Sequence, residues 1–374
     1  MRRTFRFLVL ASILPGALGA QGALSVQGYG YPTGQLGSAT LALGGSTAEM
    51  DPASALNPAS LAIPSRYAVY MQFEPEYRRT AIGGQADRST TIRFPSFIVT
   101  GGNRRLTAGA SATTFLDRTW SNVYSDSQSV GGTMIPSTLT ASSNGAITDA
   151  RFAASYWINP KLQLGLGLHA LTGENRLVFG RSFSDSSGIG GVTQLSTINY
   201  SGRAVSLGMI LVPGKAIVIG ASARIGGSME ARQDAGALAD ASVPDRFGVS
   251  FAYTGIPNTT IAARFDHTAW SSMQSLGTAN MTVFDANDVG LGLEVVGPRI
   301  AGSPSYARIG LRDRGLPFGA NGEKVGERSF TGGIAIPVAR GRGQIDLSLA
   351  RATRSAAGAE EKALVFSIGL GIRP

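Results

Sequence analysis

Cysteine is missing from all 374 residues, which removes disulfides, thiolate metal sites and thiol nucleophiles together. Histidine is almost missing: His169 and His267 fall in different alternating segments, without metal-ligand spacing between them. No metal and no cofactor is expected. Charged residues make up 15% of the chain, and the net charge of +9 includes Arg2, Arg3 and Arg6 at the N-terminus. The other basic residues are scattered, so no nucleic-acid footprint forms. Beyond the N-terminus no apolar run approaches the roughly 20 residues of a membrane-spanning helix. A phosphate-binding glycine loop ending in Lys-Ser or Lys-Thr is also lacking, as is a Gly-x-Ser-x-Gly elbow between strand and helix. An enzyme is not expected, although the inward parity of His169 leaves a Ser/His/Asp arrangement geometrically open.

What is present begins with an export signal. Arg2, Arg3 and Arg6 precede the short apolar core Phe7 to Leu14, and Pro15, Gly16 and small residues through Ala20 follow. Cleavage is expected near Gly19 to Gly22, which assigns residues 1–20 to a signal peptide. The stretch Gln35 to Ile63 then stands apart, because it reads neither as alternating strand nor as polar loop. It carries Asp51-Pro52 and Asn57-Pro58. Asp and Asn cap helix N-termini, and proline is pre-set for the first helical position. Two short helical turns are predicted, Pro52 to Leu56 and Pro58 to Ala62. Neither is long enough to stand alone in water, so both must pack inside something.

After Arg66 the dominant period is two. Leu162, Leu164, Leu166 and Leu168 alternate with Gln163, Gly165, Gly167 and His169, and Leu364, Phe366, Ile368, Leu370 and Ile372 share one face. About fourteen strands are predicted, near 65–75, 89–100, 105–119, 146–158, 161–181, 196–212, 215–230, 245–255, 258–271, 287–297, 304–313, 328–340, 343–354 and 361–373. Long polar connections (76–88, 120–145, 182–195, 231–244, 272–286, 314–327) alternate with short turns such as Asn159-Pro160, Gly297-Pro298 and Gly341-Arg342-Gly343. Short turns on one rim and long loops on the other describe an antiparallel transmembrane β-barrel of the outer membrane, its exterior in lipid and its lumen wet. An even strand number puts both termini on one side. Trp120, Trp157, Tyr253 and Trp270 near strand ends suit interfacial girdles.

The small-residue run Leu-Gly-Gly-Ser-Thr (43–47), then Asp51, then Ala-Leu-Asn-Pro-Ala-Ser-Leu-Ala (55–62), resembles the N-terminal region of the FadL family. The related PorV and PorQ barrels look similar here. The resemblance implies an outer-membrane transporter of long-chain fatty acids or other hydrophobic compounds, with residues 21–64 as a hatch folded inside the barrel 65–374. A PorV-like barrel that shuttles or scaffolds secreted proteins is the alternative. One departure is the C-terminus, Gly371-Ile372-Arg373-Pro374, where many outer-membrane barrels end in an aromatic residue.

Candidate site residues follow. Pro95 interrupts Thr91 to Val99, and the apolar positions change parity there, from Ile92 and Phe94 to Phe97 and Val99. One extra residue in a bulge does this, and proline breaks a ladder, so a wall kink is predicted at Pro95. A fatty-acid carboxylate would need a cationic partner in the lumen. Arg151, Arg224, Arg264 and Arg308 point inward by parity, with Asp266, Glu294 and Asp346 as competing ion-pair partners. Leu41, Leu43, Met50, Leu56 and Leu61 of the hatch are candidates for an apolar pocket, or only for its packing face.

Overall fold

The computed structural model describes residues 29–373 except 63–66, 83–84, 104, 184–187, 234–235, 278–280, 301 and 321. The expected signal peptide 1–20, the hatch residues 21–28 and 63–64, and the barrel start 65–66 lie outside the described residues.

Fourteen strands among the described residues form one antiparallel barrel. They are β1 (Tyr67–Ile82), β2 (Gln85–Gly102), β3 (Leu106–Asp117), β4 (Thr133–Asn159), β5 (Leu162–Phe183), β6 (Val192–Gly214) and β7 (Ile217–Gln233). There follow β8 (Arg246–Ile256), β9 (Thr259–Thr268), β10 (Ala286–Ile300), β11 (Ser303–Ala320), β12 (Glu323–Val338), β13 (Gly343–Ala356) and β14 (Ala359–Ile372). Each strand pairs with its sequence neighbours, and β14 closes onto β1 from Ile372↔Val69 to Glu360↔Ala81. Three accessory pieces join the sheet: Tyr31–Pro32, Trp120–Val130 and Gly236–Ser242.

Alternation sorts side chains between two media. On β1, Tyr70, Gln72, Glu74, Glu76, Arg78 and Thr80 are buried in the lumen, while Met71, Tyr77 and Arg79 face outward. Exposed Phe94, Phe97, Phe152, Leu166, Leu168, Leu207, Leu291 and Phe330 continue the apolar exterior around the wall. This is inside-out relative to a soluble barrel, and it matches a lipid-facing surface.

Every predicted strand corresponds to an observed one, but the polar connections 76–88 and 314–327 are strand almost throughout. Above the apolar belt their outward positions meet water and are polar, while Leu316, Phe318 and Val325 still point into the buried cluster, so the many polar residues make these stretches read as loop. Within the connection 120–145, Trp120–Val130 is an accessory strand and the rest from Thr133 is the upper part of β4 that it pairs with, from Trp120↔Ser143 to Val130↔Thr133. Gly297-Pro298 is not a turn; it sits at a bulge within β10, between Val296 and Arg299. Trp270 is not in a girdle. It begins a 3-10 helix, Trp270–Leu276, folded into the mouth of the barrel and buried there.

An epitope inserted between Gly131 and Gly132, at the tip of the accessory hairpin, is expected to bind antibody on intact cells. The same epitope at Asn159-Pro160, on the rim shared with Tyr67 and Ile372, should require permeabilisation. Labelling of both insertions checks the orientation.

Candidate functional site

The hatch is knitted by its own motif. Asp51 Oδ1 accepts the Ala53 amide at 2.9 Å, and Asp51 Oδ2 accepts the hydroxyls of Thr40 at 2.7 Å and Ser54 at 2.9 Å. Burial raises the Asp51 carboxyl above its ordinary value, and those hydrogen bonds oppose the shift. Asn57 Oδ1 accepts the Ala59 amide at 2.8 Å, while Asn57 Nδ2 donates to Glu49 O at 2.7 Å. Pro58–Ala62 is a 3-10 helix, as the Asn57-Pro58 cap requires. Pro52 to Leu56 is a run of turns instead of a helix, because the Asp51 carboxylate closes an Asx-turn onto Ala53 and also ties Thr40. A five-residue helix α1 (Ser38–Ala42), not foreseen from the sequence, precedes it.

The wall is cut to fit this backbone. A side chain at Gly208 would run into Asn57 Oδ1 and Pro58, and one at Gly310 into the backbone of Leu43 and Gly44. Ser38 donates its amide to Tyr70 Oη at 2.8 Å, Thr331 Oγ1 donates to Ala42 O at 2.9 Å, and Asn57 Nδ2 donates to Met209 O at 3.1 Å. Glu49, buried completely, accepts from Arg246 and from Ser222 Oγ. Gln35 Nε2 donates to Thr113 Oγ1 at 2.6 Å and to Asp149 Oδ2 at 2.9 Å. Neither Glu49 nor Gln35 stood out in sequence, since single polar residues in a small-residue run carry no periodic signal.

Above the hatch the lumen is crossed by ion pairs. Arg354 donates to Glu76 at 2.7 Å, Glu327 at 2.6 Å and Glu361 at 2.5 Å; Asp288 takes Arg264 at 3.0 Å and Arg312 at 2.6 Å. Tyr31 is clasped by three guanidinium groups, Arg93, Arg314 and Arg354, at 5.0, 4.9 and 4.6 Å from its ring centre. Beyond this belt, toward the rim away from the termini, the mouth is apolar. Tyr29, Phe115, Leu116, Leu171, Met273 and Phe318 form one buried cluster, with Phe115 stacked on Trp270 at 5.1 Å.

The wall itself is incomplete beside this cluster. β2 pairs with β3 only from Gly102↔Thr107 to Ser96↔Thr113, whereas β2 continues along β1 to Gln85↔Ile82. The ladder ends next to Pro95, where the β1 register shifts between Gln72 and Glu74 and both Pro95 and Ser96 are buried. Past that point the seam is closed from inside. Arg93 Nε donates to Asp117 Oδ2 at 2.6 Å across it, and Tyr31–Pro32 pairs with Leu116–Asp117.

The other residues singled out from the sequence do not converge on one pocket. Leu56, Arg224 and Arg264 line a cavity of about 60 Å³ between hatch and mouth, with Phe115, Trp270 and Arg312. Leu41 packs with Leu36, Ala48 and Leu56. Leu43 and Leu61 are buried against wall glycines, and Met50 is half-buried. Arg308 is tied to Glu294 at 2.6 Å and Asp346 at 2.5 Å. Arg151 is buried beside Gly167 and His169, with Nε and Nη1 lacking a hydrogen bond. His169 does meet an acid and a serine: Nδ1 lies 2.9 Å from Asp149 Oδ1 and Nε2 lies 2.8 Å from Ser206 Oγ. Ser206 is 1% exposed and the cavity does not reach it, so this row offers a substrate no access.

Two outcomes follow from these contacts. Gly208→Val is expected to overpack the hatch seat at a cost of about 1–3 kcal/mol, read as faster protease cleavage between Gln35 and Leu61 in the folded barrel. Arg354→Met takes the guanidinium partner from Glu361 and one of two from Glu76 and Glu327, which keep Arg93 and Arg314. It should lower barrel stability by about 3–5 kcal/mol in urea unfolding.

No protein-family model matches the sequence, and no curated protein matches it. Solved structures do. A FadL homologue of Pseudomonas aeruginosa aligns with a TM-score of 0.59 at 12% identity, over 92% of this chain and 99% of that one. The toluene transporter TodX of P. putida gives 0.57 at 13% over 93% and 99%, and the toluene transporter TbuX of Ralstonia pickettii gives 0.54 at 14% over 91% and 98%. Identity at this level carries the fold alone, and the fold is that of the FadL-like outer-membrane barrels.

Proposed function

We propose that this chain, exported by residues 1–20, carries hydrophobic compounds across the outer membrane through a side exit in the barrel wall. The unladdered β2/β3 seam past Pro95 is the observation that carries the reading. Phe115 and Leu116 belong both to the apolar mouth and to the strand that borders the seam. Straight passage through the lumen would drag an apolar solute across a belt of buried ion pairs and a hydrogen-bonded hatch, at high desolvation cost. A sideways route from mouth to seam avoids both. It requires only that the Arg93–Asp117 clasp and the Tyr31–Pro32 strand yield. The similarity in fold to toluene transporters supports the same direction.

The cavity below the mouth extends the reading to amphiphiles such as long-chain fatty acids. Arg224 stacks on Phe115 at 5.0 Å, hydrogen-bonds Pro244 O and Gln35 Oε1, and makes no direct ion pair among the described residues. It would meet a carboxylate head group while the tail stays among Phe115 and Trp270.

Uptake of labelled toluene and oleate by intact cells tests both parts. Pro95→Val should restore ladder pairing and lower uptake of both compounds by about tenfold, equivalent to ~1.4 kcal/mol on the barrier. Unchanged uptake removes the side exit. Arg224→Gln should depress oleate uptake and spare toluene. A wild-type chain that passes neither compound would favour the sealed barrel that scaffolds secreted proteins.

A further inference from the structure

On the outer face, the apolar band ends at a row of charged and polar residues running from β11 to β1. Cross-strand pairing links Asp313 to Arg328, Arg328 to Thr353, Thr353 to Lys362 and Lys362 to Arg79. Below the row a groove of about 460 Å³ opens toward the bilayer, floored by Leu291, Leu311 and Phe330 and edged by Arg328, Arg351 and Thr353. The floor residues are about half exposed or more, so the groove is unfilled by protein.

Arg351 is the informative residue. It stands directly opposite Phe330 on one side and Leu364 on the other, at the depth of the apolar band. No ion pair holds it among the described residues, so its guanidinium must reach along the wall to an anion or to water. Arg328, 86% exposed, lies diagonally across from it, and Asp313 at 2.8 Å occupies one edge of that guanidinium. Asp313 engages Arg328 through Nε, and the terminal nitrogens of Arg328 have no hydrogen bond among the described residues.

We propose that this groove binds an anionic lipid of the surrounding leaflet. Its phosphate sits between Arg328 and Arg351, and its acyl chains lie over Leu291, Leu311 and Phe330. Paired guanidinium groups suit the tetrahedral oxygens of a phosphate through charge-assisted, bidentate hydrogen bonds. Asp313 repels a phosphate from its own side and so confines it to the Arg351 side. The assignment rests on the reading of the chain as a membrane barrel, but not on transport.

Native mass spectrometry of the full chain in detergent tests it, with bisphosphorylated lipid A as the probe and its dephosphorylated form for comparison. The wild type should retain the phosphorylated lipid in preference. The double variant Arg328→Ser/Arg351→Ser should retain it about tenfold less, while Arg203→Ser, at an exposed arginine on β6, changes nothing. Equal retention of the two lipids, or of one lipid by wild type and double variant, overturns the proposal. Toluene uptake by the same variants keeps the readings apart. Lost lipid retention with normal uptake supports the groove, and phosphate-dependent retention by a chain that transports nothing overturns transport and leaves the groove standing.

Discussion

Inside a hydrocarbon layer an unpaired backbone amide has no water to bond, and each one left open costs several kcal/mol. A sheet can cross only by closing on itself. The pairing of β14 with β1 meets that demand, and the rest of the molecule follows from it. Closure fixes which side chains face lipid and which face the lumen, because successive residues alternate. It also creates an enclosed space that must be filled, and the hatch fills it. The seam past Pro95 is where closure is relaxed, and there the chain supplies substitutes from within: Tyr31–Pro32 against Leu116–Asp117, and the Arg93–Asp117 ion pair.

The filling is polar, and that decides what the lumen can pass. Arginines and carboxylates from facing strands meet at hydrogen-bond distance with little water access, so each is stable only while its partners stay. Glu49 brings a hatch carboxylate to Arg246 and so anchors the hatch in the same network. Tyr31 does the equivalent with its ring, between three guanidinium groups. The result is two compartments: an apolar mouth bounded by Phe115, Trp270 and Phe318, and a charged belt with the hatch beneath. An apolar solute is at home in the first and excluded from the second. The proposed side exit is the route that would respect this division.

Glycine makes the close fit possible. Wall positions such as Gly165, Gly208 and Gly310 lie against hatch backbone, where a methyl group would already collide. In sequence these residues look like ordinary strand glycines, and their purpose appears only once the hatch is seated. The same holds for Asp149, His169 and Ser206, which come from three adjacent strands and are joined through hydrogen bonds that also reach Gln35.

Period-two alternation was enough to locate the fourteen strands and their inward and outward faces, because side-chain direction in a strand depends only on local parity, and long connections alternating with short turns made them a barrel. Two Asx-Pro pairs marked the stretch from Gln35 to Leu61 as compact, since the caps act over two or three residues, although only Asn57-Pro58 starts a helical turn. The parity change at Pro95 falls where the register between β1 and β2 shifts, at Gln72 to Glu74. What alternation could not decide is which inward charges meet. Arg308 pairs with Asp346 and Arg354 with Glu76 across sequence separations of 38 and 278 residues, set by strand stagger and barrel closure. Nor could it place Trp270 in the mouth instead of a girdle, or Arg224 at a cavity and Arg151 away from it. Those outcomes are distances between remote strands, and only the closed tertiary structure sets them.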